Sequence, residues 1–400
     1  MELTKTKYKQ TEIGLIPEDW EVDTLDNMAT LLSSKRIFES EYVKDGIPFY
    51  RGKEISMLLD RKKIKSVYYI SNSRYEKIKR EFGVPVKGDI LITAVGTLGN
   101  SYLIPNNNKF YFKDGNLIWL KNINGVNKTY LNIQLDNFKE KIIANAIGSS
   151  QKALTIAVLR KQKIPLPPFP EQKAIADVLS DVDSLIQAIE QKLAKKRAIK
   201  QGAMQKLLTP PTTSSGQGKE NWEVKKLGDV FEIRAGGDLN KYDYSKIKTS
   251  LFKYPVYSNA HSNKGLYGFS KTFDFNGNYL TVSARGGIGY SVSRNEKFNA
   301  IGRLLILKPI EKINVKYVEE YINLKIEFSV ESTGVPQLTA PQISKYTIAL
   351  PSIEEQTHIA TILSDMDKEI ELIEAQLAKH QVLKQGLMQE LLTGKIRLTV

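Results

Sequence analysis

Residues Ile164 to Thr209 read IPLPPFPEQKAIADVLSDVDSLIQAIEQKLAKKRAIKQGAMQKLLT. Shifted by 184 residues, Ile348 to Thr393 read IALPSIEEQTHIATILSDMDKEIELIEAQLAKHQVLKQGLMQELLT, and 25 of the 46 ungapped positions are identical. Agreement at that level marks an internal duplication. Each copy opens on a helix-start signal. Pro170, followed by Glu171, suits a first helical turn, and Ser352 and Glu355 have capping-box spacing. Each copy also closes on a stop, at Pro210-Pro211 and at Gly394.

Between start and stop the apolar residues step by four and three. They are Ile175, Leu179, Val182, Ile186, Ile189 and Leu193 in the first copy. In the second they are Ile359, Leu363, Met366, Ile370, Ile373 and Leu377. This heptad period predicts two long helices that zip together as a coiled coil. The first, over Glu171–Leu208, would be roughly 57 Å long at ~1.5 Å per residue. The alternative is that each stripe docks on its own globular neighbour. Lys196, Lys200, His380 and Lys384 interrupt the seam toward the C-terminal end of each helix.

Outward from the helices, 400 residues exceed what one core usually supports, so two or more domains are expected. The sequence contains no cysteine, which removes disulfides, a thiolate zinc site and a cysteine nucleophile. The three histidines, His261, His358 and His380, are too scattered for a metal cluster. No run is long and apolar enough for a membrane span, and MELTKTKYKQ has no signal-peptide core. A cytoplasmic protein without membrane attachment is expected.

Charge is unevenly shared. The net is +9 over residues 1–163 and +6 over residues 210–347, but only +2 over 164–209 and −3 over 348–400. The basic excess therefore sits in the two blocks between the repeated helices, which points to a polyanion bound by those blocks.

The two blocks repeat each other more faintly. Trp20-Glu-Val22 is answered by Trp222-Glu-Val224, after a linker (residues 210–220) rich in Pro, Thr, Ser and Gly. Ile47-Pro-Phe-Tyr50 is answered by Tyr254-Pro-Val-Tyr257. Gly96-Thr-Leu-Gly99 is answered by Gly286-Gly-Ile-Gly289. Gln151 and Gln337 recur in the loops just ahead of each helix. Strands are expected at Asp89–Thr93, Asn116–Leu120, Tyr279–Ser283 and Leu304–Leu307, with short helices at Asn72–Glu81 and Val315–Lys325.

The chain has no Walker A loop, no amino-methyltransferase signature and no complete nuclease Asp…Glu-x-Lys set, so no catalytic centre is expected in it. The glycine clusters read as tight turns at strand ends rather than as phosphate cradles. Cations interleaved with tyrosines fit nucleic acid instead, since their heads neutralise phosphates and arginine forks address guanine edges. The candidate DNA contacts are Arg51, Arg61, Lys62, Lys63 and Gln151 in the first block. In the second they are Lys241, Lys246, Arg285 and Gln337.

The architecture resembles the specificity (S) subunit of type I restriction–modification enzymes. The residues that carry the resemblance are the helix starts at Glu171-Gln172 and Glu355-Gln356 and the helix tails at Lys200–Leu208 and Lys384–Leu392. The Ile16-Pro17-Glu-Asp-Trp20 opening and the paired glycine turns belong to it as well. Val95 departs from it, standing where the second copy has Arg285.

The resemblance implies an α+β fold: two mixed α/β target-recognition domains (1–163 and 221–347) in tandem duplication. Two spacer helices (164–209 and 348–400) would separate them, pairing as an antiparallel coiled coil about a pseudo-twofold axis. It implies a non-catalytic DNA reader that binds double-stranded DNA, two methyltransferase subunits and restriction subunits. S-adenosylmethionine and ATP would sit on those partners, and this chain would hold no cofactor or metal. Because the blocks differ while the helices are close copies, a bipartite, non-palindromic target with an unread gap is expected. The polar break of the seam would be where the methyltransferase docks. Rival expectations are a self-contained methyltransferase or nuclease, and a coiled-coil adaptor that never touches DNA.

Overall fold

Each Trp-Glu-Val opening becomes a strand because its partner is the strand that leads into a long helix. Glu21–Thr24 pairs antiparallel with Lys163–Leu166, and Glu223–Lys226 with Thr347–Leu350. Each block is thereby closed on itself before its helix begins. The computed structural model describes residues 7–64, 67–148, 152–210, 222–329 and 336–398. The linker beyond Pro210, up to residue 221, lies outside the described residues.

The repeated helices run Phe169–Leu207 and Ile353–Leu391, 39 residues each. The first starts two residues ahead of the expected Glu171. Pro170 thus sits within the first turn, where its missing N–H goes unused anyway. At the second start, the Ser352 hydroxyl accepts the Glu355 N–H at 3.3 Å.

The chain divides into two compact units, Met1–Ala188 with Leu377–Val400, and Ile189–Gln376. In the first, an antiparallel sheet runs in the order Thr30–Leu32, Leu117–Lys121, Ile90–Thr93, Ser101–Leu103. In the second, the same order is kept by Phe231–Ala235, Leu304–Pro309, Tyr279–Ser283 and Ser291–Arg294. The central strands are apolar on both faces because each face meets a separate core. Ile90 and Ile92 join the cluster of Trp20, Leu25 and Tyr130, while Leu91 joins that of Phe112 and Trp119. Likewise Leu305 and Leu307 face one core of the second unit, and Leu304 and Ile306 the other. The short helices form at Asn72–Glu81 and Val315–Lys325 as expected.

The seam divides its work. Ile175 and Leu179 are buried in the core of the first unit beside Leu391 and Leu392. Ile359 and Leu363 are buried in that of the second beside Leu208. In these first turns, each stripe docks on its own globular neighbour. Further along, Ile186, Ile189, Leu193 and Ile373 are buried, whereas Val182, Met366, Ile370 and Leu377 are half-buried.

Ion pairs there join helix to helix. Lys384 meets Asp183 at 2.6 Å in the first unit. Lys196 meets Glu369, Arg197 meets Glu374 and Lys200 meets Asp367, each at 2.6 Å, in the second. Early residues of one helix meet late residues of the other, so the pairing is antiparallel. The lysines that break the heptad are therefore not a free docking surface, because Lys200 and Lys384 spend their charge on aspartates of the facing helix.

The Glu-Gln at each helix start is structural. Gln172 accepts the Asn127 N–H at 2.8 Å and donates to the Pro167 carbonyl at 2.9 Å. Gln356 does the same with Asn314 and Pro351, at 3.0 and 2.9 Å. Asn127 and Asn314 cap the helices Lys128–Asn137 and Val315–Lys325. One buried side chain thus ties the start of a long helix to the start of a domain helix. No helix among the described residues is long and apolar enough to cross a membrane.

Candidate nucleic-acid interface

The two glycine turns are superposable in their bonding. In the first unit, the Thr93 hydroxyl donates to the Thr97 carbonyl and accepts the Asn100 N–H at 2.9 Å, while the Gly99 N–H reaches the Thr93 carbonyl at 2.8 Å. In the second, the Ser283 hydroxyl donates to the Gly287 carbonyl and accepts the Tyr290 N–H at 3.0 Å. The Gly289 N–H reaches the Ser283 carbonyl at 2.9 Å. Gly96, Gly99, Gly286 and Gly289 all hold positive φ, which a side chain would strain.

The loop ahead of each long helix is pinned to its turn. Leu154 donates to Ala94 and Leu338 to Ala284, both at 2.9 Å. Gln337 is half-buried immediately before that anchor. Gln151 lies outside the described residues.

A third segment completes each platform, and here the units differ. In the first, helix Gly52–Leu59 brings Ser56 to the turn, 3.0 Å from the Thr97 hydroxyl and 3.2 Å from Asn100 Nδ2. Lys139 adds its ammonium to Asn100 Oδ1 at 2.6 Å. In the second, the chain beyond strand Tyr254–Tyr257 lays Asn259 and His261 on the turn. Asn259 Nδ2 donates to the Arg285 carbonyl at 3.0 Å, and His261 Nε2 lies 3.0 Å from the Gly287 carbonyl. The imidazole also packs on Tyr290, with ring centroids 4.5 Å apart. A Cβ on Gly287 would fall 1.8 Å from the His261 ring, so a side chain there would displace the imidazole from the turn.

The expected contacts sit as follows. Arg51 precedes helix Gly52–Leu59 and is engaged by Glu54, through Nη2 at 2.6 Å and Nε at 3.0 Å, with its guanidinium over the Tyr68 ring. The hydrogen bond to Glu54 raises the Arg51 pKa. Arg61 is exposed and holds φ 53 where that helix ends. Lys62 pairs with Asp60 at 2.7 Å, with both side chains exposed, and Lys63 is exposed. Lys241, in the turn Lys241–Asp243, and Lys246 are exposed.

Arg285 sits on the turn with Nε buried and lacking a hydrogen bond, and no carboxylate pairs with it among the described residues. Of the candidates among the described residues, Arg285 lies in a glycine turn and Gln337 directly precedes the residue anchored to it, while Arg51 precedes the helix that packs on the first turn. Ser56, Thr97, Asn100, Asn259, His261 and Tyr290 stand at the turns without having been candidates from the sequence. The turns themselves were visible, but nothing local brings residue 56 to 97 or residue 261 to 287. No group of three or more His, Asp or Glu side chains among the described residues is arranged to hold a metal.

The same hydrogen-bonded turn is thus built once in each unit, with different side chains upon it. The pattern of the type I restriction modification DNA specificity domain matches the chain twice, at residues 17–197 and 219–380. The chain belongs to this family.

A putative type I restriction enzyme MjaX specificity subunit of Methanocaldococcus jannaschii is 30% identical over 416 residues, covering 98% of this chain and 96% of that protein. The type I restriction enzyme MjaVIII specificity subunit of the same organism is 24% identical over 98% of the chain and 96% of its own length. The fold is shared with the S subunit of a type I restriction–modification system from M. genitalium. The TM-score is 0.67 at 16% identity, covering 98% of both chains. The chain is thus a specificity subunit, a non-catalytic DNA-recognition component of a multisubunit type I system.

Proposed function

We propose that residues 1–163 and 221–347 each read one half of a bipartite, asymmetric DNA target. The spacer helices (164–209 and 348–400) would set the unread gap and dock two methyltransferase subunits, which carry S-adenosylmethionine, alongside ATP-dependent restriction subunits, in the cytoplasm. The observation that carries this reading is the twofold occurrence of the specificity domain on one chain, with equal frames and unequal surfaces.

Arg61, Lys62, Lys63, Lys241 and Lys246 neutralise phosphates in this reading, which fixes register without reading sequence. Arg51 contributes through Nη1, the guanidinium nitrogen that Glu54 leaves unbonded. Gln151, Arg285 and Gln337 address bases.

The test is methylome sequencing of a host expressing this chain with its methyltransferase partner. A motif of two unlike half-sites separated by a fixed gap is expected, and a contiguous or palindromic motif would overturn the reading. A salt titration of the assembled complex separates it from a protein-only adaptor. Affinity for duplex DNA should fall linearly on a log–log plot as counterions compete, and a flat response would favour the adaptor.

A further inference from the structure

We infer that the bases of each half-site are read at the glycine turns, by the side chains that differ between two otherwise equal frames. These are Ser56, Thr97 and Asn100 in the first unit, and Asn259, His261 and Arg285 in the second. The inference rests on the reading of the chain as a bipartite DNA reader and names where that reading happens.

The frame argument comes first. A reader with two unlike half-sites needs the same scaffold twice and different chemistry upon it. At the turns, three scaffold features recur: the hydroxyl at 93 or 283 bridging the turn, the glycine N–H at 99 or 289 closing it, and the N–H of Leu154 or Leu338 anchoring the following loop. What stands on the scaffold does not recur. The first unit carries a neutral network of hydroxyls and an amide, tied to Lys139. The second carries an amide, an imidazole stacked on Tyr290, and a guanidinium.

Accessibility points the same way. Gly96, Thr97, Gly286, Gly287 and His261 are exposed, and the glycines let another backbone or a base edge approach closely. Among the described residues no carboxylate pairs with Arg285, whereas Arg51 answers Glu54. A half-buried guanidinium with no carboxylate partner keeps its fork for a planar acceptor such as guanine O6 and N7. The amides and hydroxyls of the cluster suit the donor and acceptor pattern of the major groove, where all four base pairs differ. The exposed lysines elsewhere, as flexible point charges, suit phosphates instead.

The experiment uses the full chain assembled with its methyltransferase partner, with methylome sequencing and competition binding as readouts. The variants are Asn259→Ala, His261→Ala, Arg285→Lys and, separately, Ser56→Ala with Asn100→Ala. The second-unit variants should relax discrimination at one half-site by on the order of 10- to 100-fold, leaving the other half-site intact. The first-unit variants should do the reverse. Arg285→Lys keeps the charge and should hold non-cognate affinity while losing discrimination.

The untouched half-site serves as a folding control in each molecule. Competition with oligonucleotides scrambled in one half-site gives the same ratio in vitro for any variant that does not methylate in cells. Variants that fold, assemble and leave both half-sites as sharp as wild type would overturn the inference. So would variants that blur both half-sites equally. If wild type itself yields no bipartite motif, the bipartite reading has failed instead.

Discussion

At the scale of single residues, the strongest local knot is Glu171. Its buried carboxylate accepts Arg397 Nε at 2.8 Å and Nη2 at 2.7 Å, the Trp20 indole N–H at 3.2 Å and the Leu398 N–H at 3.3 Å. Arg397 also grips Asp19 at 2.8 and 2.6 Å. The hydrogen bond from Arg397 holds the Asp19 carboxyl below its ordinary pKa, and the bonds to Glu171 and Asp19 raise that of Arg397. Arg397→Ala should cost roughly 2–4 kcal/mol of first-unit stability, because it strands a buried carboxylate. Adding Glu171→Gln should recover part of that loss. Denaturant unfolding of the single and double variants checks the order, and a double variant worse than Arg397→Ala would contradict it. Among the described residues the second unit has no equivalent knot, and Trp222 Nε1 is buried there without a hydrogen-bond partner.

At the scale of elements, the second unit adds to its apolar packing a charge network that reaches from the long helices to a domain helix. Lys200 reaches Asp367 and Glu320, and Lys316 reaches Glu319, Glu320 and Asp367. Thr129 and Ile133 stand in the first unit where the second has Lys316 and Glu320, counted from the caps Asn127 and Asn314, so the domain helix there adds no charge to the Lys384–Asp183 pair at those two positions. Burial works against the Asp367 carboxylate, but its hydrogen bond to Lys200 and the charges of Lys200 and Lys316 outweigh this and lower its pKa. A depressed carboxylate stabilises the fold above its unfolded pKa of about 3.9 and loses that contribution as pH falls through the folded value. Acidification below about pH 4 should therefore loosen the second unit. Asp367→Asn should flatten that acid limb while costing about 1–3 kcal/mol at neutral pH. Unfolding curves at pH 7 and across the acid range measure both effects, and an unchanged acid limb would exclude Asp367 as its source.

At the scale of the whole molecule, the legible parts of the fold were those written in short-range pattern. The heptad stripes, the strand at Ile90–Thr93 and the helix at Val315–Lys325 each declare themselves within a dozen residues. The pairing of Glu21–Thr24 with Lys163–Leu166 was not legible, because it joins segments some 140 residues apart. The glycine turns and the side chains around them were half legible for the same reason. Val95 showed as the departure, standing where the second copy has Arg285, but His261 meets Gly287 through the chain that follows strand Tyr254–Tyr257.

The division of the seam also bears on the gap. The first turns of each helix belong to a domain core, so length added in mid-helix leaves those cores untouched. Inserting one heptad into both helices should lengthen the gap by about three base pairs and leave both half-sites unchanged. Methylome sequencing checks this, and altered half-site bases would count against a spacing role.

The docking of Arg397 beside Trp20 also bears on the order in which the two units are completed. Residues 189–376 contain everything the second unit needs, so that unit is complete while its predecessor is still waiting. At ~5–20 residues per second, Arg397 leaves the peptidyl-transferase centre roughly 20–75 s after Trp20. Throughout that interval the Trp20 pocket stands open on the nascent chain. The half translated first is the half finished last, which makes it the client that chaperones would meet during synthesis.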